Sequence, residues 1–521
     1  MKKLMSKFPI TGKAIILLQG TTQNFFTLTR LWALIKIDEI RVRFINWGLL
    51  AAWLLLIVSM LFPHGPWYSA EVQLCAFLPG CENHPDHLGN LLFWGAGIPQ
   101  IILLIVLSGH TLWRRICPLA FVSQVTRHLK WQRQRRGPNG HYEVPRIHPE
   151  SFLGRHHVWF QTSLLVLGLS LRLLSINSNP HMLALVLLTT LLLSVLVGWL
   201  WGGKAWCQYF CPMGPVEAIL VGPALQNSLP FGDDKKALPQ SICRTVTQAD
   251  RVQSACVNCQ SPCIDIDAER SYWYNQVIHK GFTLAWWSYP GLVLSFFLIL
   301  QSLDPSDAHY VGRGHWSTDT DLDSQILAPV HLIPQLFDLP RIIVIPLALL
   351  LGAGVTVAVF SFLHRDAGLS QHRCRLLATF SALNIFFCYA DPSIGSAGPM
   401  TTFAIRLLVL LFSTRLLMRG WNRDRSQYLY EKVLLSFHRH ALQHPDVLPT
   451  IPLSPTGSRR SQMASLRAMV SHFGRQASPE LRGRLYRLVL HDIAKEPQLD
   501  PAEAFQMTEP LREALRVQLI R

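Results

Sequence analysis

Eight stretches of the chain are apolar enough to form helices that cross a membrane. They lie at residues 45–62, 90–109, 158–175, 182–202, 283–303, 341–363, 376–389 and 401–418. A spanning helix needs about 20 predominantly apolar residues, and all but the seventh stretch come near that length. Half of the 521 residues are hydrophobic and only 15% are charged. The sequence therefore predicts a mostly α, polytopic transmembrane helical protein with about eight spans and argues against a soluble enzyme.

The charges of the loops predict which side of the membrane each loop faces. The loop at 110–157 is strongly basic, whereas the loop at 304–340 has six aspartates against one arginine. Basic loops stay in the cytoplasm, so the acidic loop is predicted to be periplasmic and both termini cytoplasmic. We therefore expect a multi-pass protein of a bacterial inner (cytoplasmic) membrane. The net charge of +16 fits basic loops beside anionic lipid. No nucleic-acid-binding motif accompanies this charge, so nucleic acid is not predicted as a partner.

The predicted spans divide the chain into five parts. They are a basic interfacial segment (1–44), spans one to four (45–202), a cytoplasmic cysteine segment (203–282), spans five to eight (283–421) and a cytoplasmic helical domain (422–521). In the last part, apolar residues at three- and four-residue spacing predict helices at about 426–443, 461–473, 479–495 and 501–520. We expect this domain to dock a protein partner or the cysteine segment.

The cysteine segment contains the only dense cluster of soft metal ligands in the sequence. Its thiols are Cys207, Cys211, Cys243, Cys256, Cys259 and Cys263. Their C-x3-C-P and C-x2-C-x3-C spacings let short loops wrap an iron–sulfur cluster, and Cys-Pro is typical of ferredoxin loops. Zinc held by four cysteines and reduced thiols without a metal are the alternatives.

A weak internal repeat adds a seventh thiol. Residues 109–120, which contain Cys117-Pro118, align with residues 203–214, which contain Cys211-Pro212. Trp113 stands where Cys207 stands in the second copy. Each copy follows a span that enters the cytoplasm, so the repeat predicts that Cys117 lies near the main cysteine cluster.

With these motifs, residues 90–303 resemble the membrane polyferredoxins typified by NosR, NapH and CcoG. The resemblance implies 4Fe-4S clusters that move electrons between a quinone or cytoplasmic donor and a periplasmic or metal-handling redox partner. Cys256, Cys259 and Cys263 are the expected ligands of one cluster, with Cys243, Cys211 or Cys207 as the fourth. Two all-cysteine clusters need eight thiols, and seven of the eleven cysteines are candidate ligands, so a second cluster requires a non-cysteine ligand or a three-iron form.

The resemblance leaves two functions open. The first is an electron-transfer protein, as a component of an oxidoreductase. The second is a redox-sensing regulatory or metalloenzyme-assembly membrane protein that signals through its C-terminal domain.

Two other groups of residues carry weaker signals. The predicted outer loop contains Cys75, Cys81, His84 and His87. The two cysteines favour a disulfide in an oxidising compartment, while the full set could hold copper or zinc. Histidines such as His157, His364 and His372 lie at predicted helix ends and none lies in mid-span, which argues against haem.

Overall fold

A computed structural model describes most of the predicted helices. The described residues are 39–62, 65–66, 69, 73, 89, 92–108, 110–129, 131–136, 142–145, 147–176, 179–202, 204–225, 244–246, 252–254, 264, 268–278, 280–303, 340–389, 399–444, 446–447, 459–494 and 499–517. The predictions for the interfacial segment before residue 39, for the loop at 304–339 and for several cysteines and histidines lie outside them. These cysteines and histidines are Cys75, Cys81, His84, His87, Cys243, Cys256, Cys259 and Cys263.

The N-terminal half of the bundle consists of long helices joined by short ones. Its helices are α1 (Glu39–Leu61), α2 (Ile98–Ser108), α3 (His110–Ile116), α4 (Pro118–Val122), α5 (Val125–His128), α6 (Phe152–Leu171), α7 (Pro180–Trp201) and α8 (Met213–Leu225). Three π-helical turns accompany them, at Leu92–Gly97, Arg172–Ile176 and Trp206–Phe210. Ser151 and Asn179 cap α6 and α7 by accepting backbone N–H groups with their side chains, as polar N-cap residues do.

The remaining helices complete the bundle and form the C-terminal domain. They are α9 (Ala268–Ile278), α10 (Lys280–Leu303), α11 (Arg341–Arg365), α12 (Gln371–Tyr389), α13 (Pro399–Gly420), α14 (Arg425–Ala441), α15 (Arg459–Gln476), α16 (Pro479–Ala494) and α17 (Pro501–Ala514). Two small antiparallel hairpins also occur, β1 (Arg135–Arg136) with β2 (Tyr142–Glu143) and β3 (Arg244–Val246) with β4 (Val252–Ser254).

Within the described residues, six helical segments are long and apolar enough to cross a membrane, which confirms a mostly α, multi-pass membrane protein. They are Val42–Leu61, Phe152–Ile176, Pro180–Trp201, Gly281–Leu300, Arg341–Arg365 and Pro399–Gly420, and they correspond to predicted spans one, three, four, five, six and eight. The second predicted span is a shorter apolar helix over Leu92–Val106. The seventh corresponds to α12, whose first turns contain His372, Arg373 and Arg375. Several of its side chains are buried against α8, α10 and α13.

Helix α8 has a place that the sequence analysis did not anticipate. It belongs to the segment 203–282, which was predicted as one cytoplasmic unit, yet it packs among α2, α6, α10, α12 and α13. Its residues Val216, Ile219 and Leu220 are buried in the same core as those helices. The helix is apolar but has only 13 residues. It is therefore too short to register as a span and becomes visible only through its packing.

The four C-terminal helices α14 to α17 pack on one another as predicted for residues 422–521. Apolar side chains such as Val433, Phe437, Phe473 and Val489 are fully buried between them. Asp424 and Asp500 cap α14 and α17 through their carboxylates. Amphipathic helices that could not bury their apolar faces alone therefore form a small domain of their own.

A polar pair in this domain predicts a pH effect on stability. Asp492 accepts hydrogen bonds from Ser436, at 2.8 Å, and from His440, at 2.8 Å. Partial burial raises the pKa of Asp492, but these hydrogen bonds outweigh it and leave the pKa below its ordinary value.

A depressed carboxyl pKa contributes stability above its unfolded value and loses it as the pH falls through the folded value. Asp492→Asn should therefore lower the stability at neutral pH by about 1 kcal/mol or less. The difference from wild type should shrink towards zero in acid, as measured by chemical unfolding at several pH values. A difference that is constant with pH would contradict the assignment.

Candidate metal centre

The second copy of the repeat forms a π-helical turn that ends at a cysteine. Gly202 terminates α7 with a φ of 64°, a conformation that favours glycine. Cys207 lies inside the turn Trp206–Phe210, and the backbone N–H of Cys211 donates to the carbonyl of Trp206 at 2.8 Å. Cys211 is then extended because Pro212 follows it. Single π-helical turns are frequent at functional sites, and this one contains Cys207 and places Cys211 at its end.

The first copy shares the backbone conformation of the Cys-Pro unit, although it reaches Cys117 through the α-helix α3 and not through a π-helical turn. Cys117 has φ −56° and ψ 121°, and Cys211 has φ −61° and ψ 121°. Each cysteine is followed by a proline and then by a helix, α4 in the first copy and α8 in the second. The two Cys-Pro units are therefore equivalent in local conformation as well as in sequence.

The two copies bring three thiols together, as the repeat predicted. Each of Cys117, Cys207 and Cys211 lies within electrostatic range of the others. Burial raises the pKa of Cys207 to about 12, although Arg114 opposes the change. Burial also raises the pKa of Cys117 and of Cys211. These thiols stay protonated at neutral pH unless a metal displaces the protons.

Buried charges surround the three thiols and link the two copies. Arg114, on α3, donates through Nη1 to Oε2 of Glu217, on α8, at 3.1 Å. Lys204 is 1% exposed, and its Nζ donates to the carbonyl of Arg114 at 3.1 Å. Glu217 interacts electrostatically with all three thiols, and Lys204 with Cys117 and Cys207. The centre thus contains three thiols, one carboxylate and two cations.

Two hydrogen-bond donors beside Cys207 bear on whether an iron–sulfur cluster, which is rich in hydrogen-bond acceptors, fits at this centre. Trp206 Nε1 and Gln208 Nε2 are buried and have no hydrogen-bond partner. A buried donor without a partner loses its hydration without compensation. The sulfides and thiolates of an iron–sulfur cluster are acceptors, and such hydrogen bonds tune cluster potentials. The donor set and the thiols are therefore compatible with an iron–sulfur cluster.

The described residues contain no group of three or more His, Cys, Asp or Glu side chains placed to hold a single metal ion. This finding argues against a site for one metal ion in the described part of the chain. Ligands on separate corners of a cubane cluster lie further apart than the ligands of one ion, so it does not test a cluster site. Two other described cysteines lie on α12, where Cys374 is buried and Cys388 exposed.

A second buried polar cluster surrounds Arg375, near the start of α12. Its guanidinium is fully buried, donates to Thr283, and lies 5.5 Å, 5.3 Å and 5.9 Å from the ring centres of Tyr272, Phe282 and Trp286. Its Nε and Nη1 have no hydrogen-bond partner. Rings offer a buried cation favourable quadrupole contacts, which offset part of its desolvation.

Tyr272 also links this cluster to His372. The hydroxyl of Tyr272 lies 2.9 Å from Nδ1 of His372, and Nε2 of His372 lies 2.9 Å from the carbonyl of Gly420. The carbonyl can only accept, so Nε2 carries the proton and Tyr272 donates to Nδ1. Burial lowers the pKa of His372 to about 4. His372 is therefore a neutral, buried link between α9 and the end of α13.

A buried ion triad joins α9, which lies in the cysteine segment after its last cysteine, to the C-terminal domain. Arg423 donates to Glu269 of α9 at 2.7 Å and to both carboxylate oxygens of Glu431 of α14 at 2.7 and 2.8 Å. Glu269 is only six residues after Cys263 in the sequence. The triad supports the prediction that the C-terminal domain docks onto the cysteine segment.

Sequence reasoning missed Arg114, Glu217, Arg375 and Arg423. Glu217 had a readable signal, because it is the only charged residue in the apolar stretch Met213–Leu225. An ionisable residue in an apolar helix is costly and is by default a candidate functional residue. The partners of the arginines, in contrast, are distant in sequence and emerge only from the packing.

No protein-family model, curated protein or solved structure matches the chain.

Proposed function

We propose that this protein is an iron–sulfur electron-transfer protein of a bacterial inner membrane. It would move electrons between a quinone or cytoplasmic donor and a periplasmic or metal-handling redox partner. The observation that carries the proposal is the convergence of the two Cys-Pro units on one partly buried, thiol-rich centre next to the apolar bundle. Thiols with a raised pKa are poor nucleophiles, so a role in holding a metal suits them better than thiol chemistry.

The residues around the thiols have distinct roles in this proposal. A bound cluster would supply one-electron chemistry and would be held by four of the seven candidate thiols, which are Cys117, Cys207, Cys211, Cys243, Cys256, Cys259 and Cys263. Trp206 and Gln208 donate hydrogen bonds to its acceptors. Arg114 and Lys204 stabilise the more negative reduced state, which raises the potential. The bundle excludes water, which strengthens these electrostatic effects.

The test is a pair of cysteine variants purified anaerobically as the full chain in detergent. Cys259→Ser removes an expected cluster ligand and should lower the iron content by about four atoms per chain. It should also remove part or all of the EPR signal that dithionite produces. Cys374→Ser is the matched control, because Cys374 is buried on α12 and lies outside the centre. Unchanged iron content in Cys259→Ser, or equal losses in both variants, would contradict the proposal.

The Glu269–Arg423–Glu431 triad favours one alternative, a redox sensor that signals through the C-terminal domain. It gives a physical link between the cysteine segment and that domain. Reduction of the cluster by a quinol analogue, followed by reoxidation by an electron acceptor over many turnovers, would favour electron transfer. A cluster that does not turn over, with trypsin cleavage of residues 422–521 that depends on redox state, would favour the sensor.

A further inference from the structure

Glu217 supplies what the sequence lacked for a second cluster. Seven cysteines fall one short of the eight that two all-cysteine clusters need. We infer that Cys117, Cys207, Cys211 and Glu217 form a 4Fe-4S centre of their own, with the Glu217 carboxylate as the fourth ligand. This inference rests on the proposed function and fixes the number of centres at two.

The position of Glu217 carries the argument. It is 5% exposed and lies in the second turn of α8, six residues after Cys211. Its Oε2 accepts a hydrogen bond at 3.1 Å from Arg114, which lies three residues before Cys117 in the first copy of the repeat. Leu119 of the first copy and Cys207 and Cys211 of the second pack against one apolar cluster, so Glu217 lies where the two copies meet. Carboxylates can bind iron, so the residue type suits the role. The other carboxylates nearest in sequence are Glu143 and Glu150 before it and Asp233 after it.

The charges around Glu217 fit a bound cluster. An oxidised 4Fe-4S core is dicationic, and three thiolates and one carboxylate contribute four negative charges, so the whole complex is a dianion. The two buried cations Arg114 and Lys204 balance that charge. Buried charges are tolerated when they are paired with opposite charges, so the two cations suit a complex that is a dianion.

The test uses Cys259→Ser as the background, because it silences the other expected centre. The full chain is purified anaerobically in detergent, and iron, acid-labile sulfide and the EPR spectrum are measured. Cys259→Ser should retain about four irons per chain. Adding Glu217→Gln should remove most of them, whereas adding Glu217→Cys should retain them and change the EPR g values, because the ligand changes from oxygen to sulfur.

Glu150→Gln is the matched control in the same background. Glu150 is an exposed carboxylate that precedes α6 and lies outside the centre, so the iron should stay. If it loses as much iron as Glu217→Gln, the loss is not specific to Glu217 and the inference is overturned. Full iron content with unchanged g values in Glu217→Gln or Glu217→Cys would also overturn it.

The outcomes separate this inference from the proposed function. Wild-type protein without iron would remove both. Wild-type protein with about four irons, all lost in Cys259→Ser, would leave the proposed function intact and remove the second centre.

Discussion

Gly198→Ala should separate the two copies of the repeat and destabilise the protein. A Cβ atom at Gly198, on α7, would overlap the backbone carbonyl of Ser123, which follows α4. Backbone cannot rotate away as a side chain can, so α4 must move, and Cys117 precedes α4 directly. Overpacking of this kind costs about 3 kcal/mol. We expect a lower unfolding midpoint in detergent and a loss of iron from the centre.

Gly168→Ala is the control for this substitution. Gly168 lies on α6, another membrane-spanning helix, and a Cβ atom there meets nothing within 4 Å. It should leave both the midpoint and the iron content close to wild type. If Gly198→Ala behaves like Gly168→Ala, the close approach of α7 to α4 is wrong, and so is the placement of Cys117.

Arg423→Met should be the most damaging single change at the junction between the bundle and the C-terminal domain. The side chains of Arg423, Glu269 and Glu431 are 10%, 7% and 12% exposed. Removing the arginine leaves two buried carboxylates without their cation, and breaking a buried pair costs about 3–5 kcal/mol. We expect a lower unfolding midpoint and faster trypsin cleavage of residues 422–521.

Arg425→Met tests the same chemistry at a more exposed pair. Arg425 donates to Glu503 at 3.0 Å, but their side chains are 29% and 35% exposed. Water screens such a pair, so its loss should cost about 1 kcal/mol or less. Similar losses in the two variants would show that the Arg423 triad is not buried in solution.

The sequence was sufficient for the features that depend on local pattern. Long apolar stretches predicted the six spanning helices because a membrane helix must satisfy its backbone internally and expose apolar side chains. The alignment of the two Cys-Pro units predicted that Cys117 lies near the main cysteine cluster, because each copy follows a span that enters the cytoplasm. The four C-terminal helices followed from their three- and four-residue periodicity.

The features that the sequence did not reveal depend on tertiary contacts. Helix α8 is too short to read as a span, although it is central to the bundle. The pairing of Arg114 with Glu217 joins residues 103 positions apart, and that of Arg423 with Glu269 joins residues 154 positions apart. Nothing in the local sequence selects these partners among the other charged residues.

The most direct test of the account is the iron and acid-labile sulfide content of the wild-type protein, purified anaerobically in detergent. We predict about eight irons and eight sulfides per chain, with an EPR signal that appears on reduction by dithionite. About four would support the proposed function with one centre only. Zinc in place of iron, or no metal and no signal, would contradict the central claim and leave the converging thiols with a structural role.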